Sequence, residues 1–218
     1  MFINEIFQSI DGEVNAWGQG VMTTFIRFQG CNLKCNYCDT MYAHERPQAG
    51  NYHMLNVDVL SKVLSFGNRK ITITGGEPFL QKDNVLWLCN NLPGIKKSIE
   101  TNGSMEILPY LKVRTDISLV IDYKLDHEDV MDMRNYQGLN KRHWIKFVIS
   151  NLADVKRVLF LIKHYPYMKQ ANIALSPNHE YMQPQELVDF LKNYVGDVMF
   201  TVNLQLHKYI WPKNMRAV

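Results

Sequence analysis

Strand-like and helix-like segments alternate along most of this chain of 218 residues. Segments rich in β-branched and aromatic residues predict strands at 21–28, 70–74, 96–100, 117–122, 144–149, 171–175 and 198–205. Segments with helical periodicity separate them, first from Val57 to a stop at Gly67 and then near 83–91, 104–112, 127–136, 152–164 and 184–194. Such alternation predicts parallel strands with helices on the outside.

The number of these units fits an open barrel. About six strand–helix units are present, whereas a closed barrel of eight units typically takes about 250 residues. We therefore predict an α/β fold, a partial (open) β/α barrel of about six parallel strands with outer helices, in a single domain over 1–218. A short edge strand is expected at 3–8 and an irregular stretch at 43–53. Asn151 and Pro184 stand where helix N-termini place such residues.

Polar motifs follow five of the predicted strands. In barrels of this kind the chemistry gathers at the carboxyl ends of the strands. The motifs are a cysteine-rich loop after 21–28, Thr74-Gly75-Gly76-Glu77-Pro78, Glu100-Thr101-Asn102-Gly103, Asp122-Tyr123-Lys124 and Ser176-Pro177-Asn178. We expect all five to meet on one rim.

Three of the four cysteines, Cys31, Cys35 and Cys38, lie in one short loop. Thiolates so spaced suit a soft centre such as zinc, copper(I) or an iron–sulfur cluster. Three thiolates on a cluster of four irons leave one iron without a protein ligand. That iron can bind a small molecule and pass it an electron. Tyr37 offers a flat apolar surface beside such a cluster.

A structural zinc ion is the alternative occupant of this loop. Zinc normally takes four protein ligands, and His44 and Cys89 are candidates for the fourth. Zinc motifs usually present two separated Cys/His pairs, however, and the sequence has no second pair. A disulfide within the triplet would leave one cysteine over. The spacing therefore favours a cluster, and Cys89, in an apolar helical segment, is expected to be a buried core residue.

The composition argues against several classes of function. The formal charge is only +3 and no dense Lys/Arg run is present, so nucleic acid is not the expected partner. No apolar run approaches the roughly 20 residues that span a bilayer, and the first residues lack a signal-peptide pattern. Four cysteines in an unexported protein are typical of a reducing cytoplasm, where they serve metal binding or catalysis.

The motifs together resemble a known family. The CxxxCxxC spacing with Tyr37 before the last cysteine resembles the cluster loop of radical S-adenosylmethionine (SAM) enzymes. Within that superfamily, the stretches at 5–13, 25–30, 39–40 and 204–208 resemble the 7-carboxy-7-deazaguanine synthase family. The likeness runs from residue 4 to residue 218.

The resemblance implies three cofactors on a radical SAM core. Cys31, Cys35 and Cys38 would hold a 4Fe–4S cluster, and a hydroxyl at Thr40 would bind Mg²⁺, a hard ion that takes oxygen ligands. The glycines after strand 70–74 serve either as a plain turn or, as in the superfamily, to bind the amino group of SAM. The residues implied to bind SAM are Tyr37, Cys38, Asp39, Gly75, Gly76, Glu77, Asp122, Tyr123, Lys124, Ser176, Pro177, Asn178 and His179.

The resemblance also implies a small pterin substrate. Arg27 lies in an otherwise apolar strand. It is either an ordinary side chain that faces outward or, as the resemblance implies, a guanidinium group that binds a substrate carboxylate. The implied substrate-binding residues are Ile10, Asp11, Gly12, Glu13, Arg27, Thr74, His207 and Val218, the last through its carboxylate. The implied catalytic residues are Arg27, Glu100 and Lys124.

The implied activity is that of a lyase. It converts 6-carboxy-5,6,7,8-tetrahydropterin to 7-carboxy-7-deazaguanine with loss of ammonia, in 7-deazapurine (queuosine) biosynthesis. A flavodoxin or ferredoxin would donate the electron, and the protein would be a cytoplasmic homodimer without nucleic-acid or membrane partners. The alternatives are a glycyl-radical-type activating enzyme that acts on a partner protein and a non-enzymatic zinc module.

The sequence departs from this family's pattern at several positions. Asp11 stands where glutamine is usual, and Val14 and Ala217 stand where glycine is usual. The turn at 125–128 lacks the common proline and serine residues. None of these positions touches the cysteine loop, so the departures bear on the substrate more than on the reaction class.

Overall fold

One sheet organises the computed structural model of the protein, which describes residues 1–45, 51–212 and 215–218. Within these residues eight strands lie side by side in chain order. The first strand is antiparallel to the second, and the other seven run parallel. The strands are β1 (Ile3–Ile10), β2 (Met22–Phe28), β3 (Lys70–Gly75), β4 (Lys96–Thr101), β5 (Ile117–Tyr123), β6 (Trp144–Ile149), β7 (Asn172–Pro177) and β8 (Phe200–Val202).

Helices fill most of the connections between the parallel strands. They are α1 (Asn56–Ser65), α2 (Lys82–Asn91), α3 (Pro109–Val113), α4 (Leu152–His164), α5 (Pro184–Lys192) and α6 (His207–Ile210). The Asn151 side chain caps α4 by accepting from the backbone N–H of Ala153 and Asp154, and Pro184 is the first residue of α5, both as predicted. In the part of the chain that the structure describes, no helix is long and apolar enough to cross a membrane.

The predicted fold class is confirmed. In the described residues the outermost strands, β1 and β8, each pair on one side only, so the barrel is partial and open. It has seven parallel strands rather than about six, since all seven segments predicted as strands from 21–28 onward join the sheet, the last only over Phe200–Val202 instead of 198–205. Of the irregular stretch expected at 43–53, residues 46–50 lie outside the described residues.

Two predicted helices are wrong in type or extent. The segment 127–136 forms two 3₁₀ turns, because His127 has a non-helical φ of −137° and Met131 is extended. The helix expected at 104–112 begins only at Pro109, whose ring removes a backbone donor and suits a first helical position.

Side chains on the two faces of the sheet differ in polarity. Outward-facing residues such as Ile73, Ile121 and Phe147 are fully or almost fully buried in one hydrophobic core against the helices. Neighbouring positions point inward, where Asp122 lies opposite Lys146 in the register of β5 and β6. Because side chains alternate between faces along a strand, the apolar core on one side leaves a polar interior on the other.

The loop between β1 and β2, residues 11–20, closes the amino-terminal end of the barrel; we call it the floor loop. The Asp11 carboxylate pairs with Lys70 Nζ and accepts a hydrogen bond from Thr72 Oγ1 at 2.8 Å. The Trp17 indole donates to the carbonyl of Lys97 at 3.1 Å, at the start of β4. On the far side, the backbone N–H of Val14 donates to the Asn203 side chain at 3.1 Å, just past β8. The floor loop therefore links the two open edges of the sheet.

Replacing Asp11 with alanine tests the floor loop. Asp11 and Lys70 are both almost fully buried, so the change leaves a buried ammonium group without its partner. We expect the free energy of unfolding to fall by about 3–5 kcal/mol, measured by urea unfolding at matched iron content. Asp129→Ala, at an exposed carboxylate, should change it by no more than about 0.5 kcal/mol. Equal stability of the two variants would show that the pair does not hold the floor.

Candidate active site

A cavity opens at the carboxyl ends of the strands and extends down to the floor loop. Its volume of about 460 Å³ suits a small molecule. Most of the residues singled out in the sequence line it, namely Ile10, Gly12, Glu13, Arg27, Cys31, Cys35, Tyr37, Cys38, Asp39, Thr40, Thr74, Gly75, Gly76, Glu100, Asp122, Lys124, Asn178, His207 and Val218. Six do not line it, namely Asp11, Glu77, Tyr123, Ser176, Pro177 and His179.

The cysteine loop leaves the end of β2 and folds back on itself. The backbone N–H of Cys31 donates to the His44 carbonyl at 3.2 Å, and that of Cys38 donates to the Cys35 carbonyl at 3.2 Å. All three thiols are partly buried and face the cavity. Burial raises the pKa of Cys31, and it raises the pKa of Cys35 to about 12. Cys31 and Cys35 therefore hold their protons until a metal displaces them.

The three sulfur atoms do not form the compact set that one zinc ion binds. Zinc–sulfur bonds of about 2.3 Å place tetrahedral thiolates about 3.8 Å apart. In the part of the chain that the structure describes, the group of three metal-binding side chains with ligand atoms all within 4.8 Å of one another is Cys35, Asp126 and His127, so at least two sulfurs of the triplet lie farther apart than that. His44, the other candidate zinc ligand, has its Nε2 atom 3.1 Å from Cys38 Sγ. Cys89 is fully buried in the hydrophobic core, as predicted, and is no fourth ligand.

The glycine segment after β3 packs directly against the backbone that enters the cysteine loop. The N–H of Gly76 donates to the Phe28 carbonyl at 3.1 Å, and that of Glu77 donates to the Gly30 carbonyl at 2.8 Å. A Cβ atom on Gly76 would lie 2.2 Å from the Gly30 carbonyl oxygen, so only glycine fits. Cysteine loop and glycine segment therefore form one rigid unit.

Glu77 acts behind the cavity rather than in it. Its carboxylate is fully buried and accepts hydrogen bonds from Phe79 N at 2.9 Å, Thr101 Oγ1 at 2.8 Å and Asn102 N at 2.7 Å. Burial raises the pKa of Glu77 to about 7 in spite of these bonds. Glu77 thus ties the glycine segment to the end of β4, and this role needs no contact with a ligand.

Charged side chains from β5, β6 and the floor loop form a network on the inner wall. Lys146 Nζ lies 3.0 Å from Glu13 Oε1 and 3.4 Å from Asp122 Oδ2. Lys124 Nζ lies 2.7 Å from the same Asp122 oxygen. Sequence reasoning missed Lys146, and the available signal was a lone lysine in the apolar strand Trp144–Ile149.

The carboxyl groups of this wall differ in pKa. Burial raises the pKa of Glu100 to about 7, and the nearby charges of Asp11 and Glu13 act in the same direction. Burial also disfavours ionised Glu13, but Lys146 and a hydrogen bond from Gln205 outweigh it and lower the pKa of Glu13. One carboxyl group can therefore exchange a proton near neutral pH while its neighbour stays charged. Such a difference in pKa between two neighbouring carboxyl groups is typical of acid–base sites.

Arg27 lies on the opposite wall of the cavity, and its guanidinium group is already hydrogen-bonded to Glu5 through Nε. Its Nε donates to Glu5 Oε1 at 2.7 Å, and the Tyr42 hydroxyl donates to the same oxygen at 2.9 Å. The guanidinium carbon lies 5.8 Å from the ring centre of Phe7. Neither terminal nitrogen of Arg27 has a hydrogen-bond partner among the described residues, so both are free to meet an anion. The sequence did not single out Glu5 or Tyr42 as site residues.

The segment after β8 forms one more wall. His207 Nε2 lies 3.8 Å and Lys208 Nζ 3.3 Å from the carboxylate of Asp39, just past the cysteine loop. His207 packs so closely on the floor loop that a Cβ on Gly12 would lie 2.7 Å from its Nδ1. Beside Asp39, the Thr40 hydroxyl faces the cavity, 3.6 Å from Cys38 Sγ.

The other predicted residues outside the cavity have structural contacts. Tyr123 is buried in the core against Tyr136 and Phe147. The Ser176 hydroxyl donates to the Asn203 carbonyl at 2.9 Å, which fixes the end of β8. Pro177 is the buried last residue of β7, and His179 is exposed, with its ring 5.8 Å from that of Tyr209. The structure thus places these side chains behind or beside the cavity.

Comparison with known proteins identifies the class of enzyme that has this site. A family model described as the radical SAM superfamily matches residues 25–160, from β2 into α4. This is more than half of the chain, so the chain belongs to the radical SAM superfamily. The crystal structure of QueE from Escherichia coli has the same fold, with a TM-score of 0.68 over 93% of this chain and 92% of that chain at 22% identity.

Two curated relatives narrow the assignment. The chain is 40% identical over 221 residues to the 7-carboxy-7-deazaguanine synthase of Clostridium acetobutylicum, covering 98% of this chain and 97% of that protein. It is 31% identical over 235 residues to the protein of that name from Leptospira interrogans, covering 96% and 94% respectively. The chain therefore belongs to the 7-carboxy-7-deazaguanine synthase family, which confirms the resemblance seen in the sequence.

Replacing Gly76 with alanine tests the contact between the glycine segment and the cysteine loop. The added Cβ must move backbone rather than a flexible side chain. We expect SAM to bind at least about tenfold more weakly, because displacements near 1 Å can cost about a hundredfold in a positioned site. The measurement is equilibrium dialysis of SAM with the cluster-loaded protein.

Gly67→Asn is the matched control. Gly67 follows α1 at a positive φ of 69°, with open space around its missing Cβ, and asparagine tolerates that conformation. This variant should bind SAM as the wild type does. Wild-type affinity in Gly76→Ala would remove the glycine segment from the SAM site.

Proposed function

We propose that the protein is a radical SAM lyase that converts 6-carboxy-5,6,7,8-tetrahydropterin to 7-carboxy-7-deazaguanine with loss of ammonia. One observation carries the proposal, namely that the cysteine triplet, the glycine segment and the charged wall all line one small cavity. The two relatives named for this reaction match nearly the full length of both chains. The type of reaction is therefore inferred from the relatives, and the cavity is where we expect the substrate to bind.

The cysteine loop fits the cluster that the superfamily requires. Its three thiols face the cavity on one side and leave that side open to a small molecule. When bound, the cluster and SAM supply the electron and the 5′-deoxyadenosyl radical that removes the hydrogen from the pterin C6. The role of this chain's own residues is to bind, orient and move protons around that carbon.

The charged wall offers groups for the steps that move protons. Glu100, with its pKa near 7, can accept or release a proton as nitrogen leaves the ring. Lys124 is held beside Asp122, whose charge raises the lysine's pKa although burial acts against it, so it stays a cation that can stabilise negative charge. Across the cavity, the free nitrogens of Arg27 can bind the substrate carboxylate bidentately.

Several finer assignments stay predictions of the resemblance. They are Mg²⁺ at Thr40, a flavodoxin or ferredoxin as electron donor, a homodimer, a cytoplasmic location, one domain over 1–218 and a substrate contact by the Val218 carboxylate. Thr40 lies at the cavity, which is compatible with a Mg²⁺ site there. The hydrophobic core under the sheet is compatible with one domain over 1–218. A glycyl-radical-type activating enzyme is the less favoured alternative, because the two relatives that match nearly the full length of the chain are both named for the synthase reaction.

The function is tested by an anaerobic assay of the cluster-loaded protein with SAM, a reductant and the carboxytetrahydropterin. We expect a product lighter by one ammonia, detected by mass spectrometry, and no product without SAM. Glu100→Gln keeps the size of the side chain but removes its titration. It should lower turnover by at least about a hundredfold while uncoupled cleavage of SAM persists.

Glu186→Gln, at an exposed position on α5, is the matched control and should turn over normally. A protein that cleaves SAM but leaves the pterin unchanged would contradict the proposed function. Full turnover by Glu100→Gln would contradict only the role given to that residue.

A further inference from the structure

The ring of Tyr42 lies close to two guanidinium groups in the cavity wall. The Arg216 guanidinium carbon lies 4.0 Å from the centre of the ring, and that of Arg27 lies 5.8 Å from it. A distance near 4 Å is stacking contact, well inside the range of about 6 Å over which a cation is attracted to a ring face. Arg216 belongs to the segment 215–218, which lines the cavity, and no motif in the sequence had pointed to it.

The backbone beside Arg216 is held in an uncommon conformation. Ala217 has a positive φ of 57°, a region that residues other than glycine enter rarely and only where their surroundings hold them. The turn at Ala217 keeps Val218 at the cavity while Arg216 faces Tyr42. The stacking of Arg216 on Tyr42 joins this turned segment to the wall of the cavity.

The hydroxyl of Tyr42 connects this stacking to the substrate clamp. It donates to Glu5 Oε1, the same oxygen that accepts from Arg27 Nε. Burial raises the pKa of Tyr42 to about 12, so the phenol stays protonated and remains a donor. A displacement of the ring would move Glu5 and, through it, the guanidinium of Arg27.

We propose that Tyr42 and Arg216 form an anchor that positions residues 215–218 over the cavity and couples them to the Arg27–Glu5 pair. Both are positioning residues, since neither needs to touch the reacting atoms. The part of the inference that concerns the pterin rests on the proposed function, whereas the anchoring of the segment does not. The anchor sets how far the segment reaches into the cavity and therefore how well a small anionic substrate is enclosed.

The test uses the cluster-loaded, full-length protein and two measurements. The first is hydrogen–deuterium exchange of the peptide that contains residues 215–218, without substrate. Arg216→Gln and Tyr42→Leu should each speed its exchange about five- to thirtyfold, the range that the loss of a partly buried cation–ring contact permits. The second is steady-state turnover, in which both variants should raise the KM for the pterin by a similar factor while uncoupled SAM cleavage stays unchanged.

Two conservative variants separate positioning from general structure. Arg216→Lys keeps a cation over the ring and should restore most of the exchange protection and of the KM. Tyr42→Phe keeps the ring but removes the bond to Glu5, so it should keep the exchange protection and raise the KM for the pterin less than Tyr42→Leu does. Arg157→Gln is the matched control, because Arg157 also stacks on a ring, that of Phe160 at 4.9 Å, on the outside of the barrel. It should change neither measurement.

The outcomes distinguish the anchor from the reaction. Faster exchange in Arg216→Gln with rescue in Arg216→Lys supports the anchor even if the pterin proves not to be the substrate. Wild-type exchange and wild-type KM in both Arg216→Gln and Tyr42→Leu would overturn it even if the pterin is turned over. Equal effects of Arg216→Lys and Arg216→Gln on exchange would also overturn it, because the contact proposed requires a cation.

Discussion

The site depends on one contact between two backbones, where Gly76 lies against Phe28 and Gly30. Parallel strands β2 and β3 bring these segments side by side, and the absence of a side chain lets them touch. The cysteine loop is thereby fixed relative to the glycine segment. Glu77 ties the same unit to the end of β4 through two hydrogen bonds, from Thr101 and Asn102. The relative position of the two segments is thus set by buried backbone rather than by flexible side chains.

The second constraint is the charge buried in the barrel. Burying one unpaired ion is costly, and the buried Lys146 accordingly lies between the carboxylates of Glu13 and Asp122. The floor loop supplies Glu13 to this network from below and uses Asp11 to neutralise Lys70. Asp11, a departure from the family's usual residue, therefore serves the floor and leaves the cavity to its neighbours.

Local patterns predicted most of this arrangement. The alternation of segments gave the parallel sheet, and the rule that chemistry lies at strand ends brought Cys31, Gly76, Glu100 and Lys124 to one cavity. Contacts between residues that are far apart in the sequence could not be predicted from such local patterns. The bond between Asp11 and Lys70 spans 59 residues, and Lys146 meets Asp122 only through the strand register. The 3₁₀ turns after β5 were missed because their apolar spacing imitates a helix.

We infer that the three thiols would hold a four-iron cluster and leave one iron free for SAM. Electron paramagnetic resonance of the anaerobically loaded and reduced protein, recorded with and without SAM, checks this inference. We expect the spectrum of a reduced 4Fe–4S cluster that changes when SAM is added, because three cysteines leave one of the four irons without a protein ligand. A spectrum that SAM leaves unchanged, or a protein that takes up one zinc ion and no iron, would contradict it.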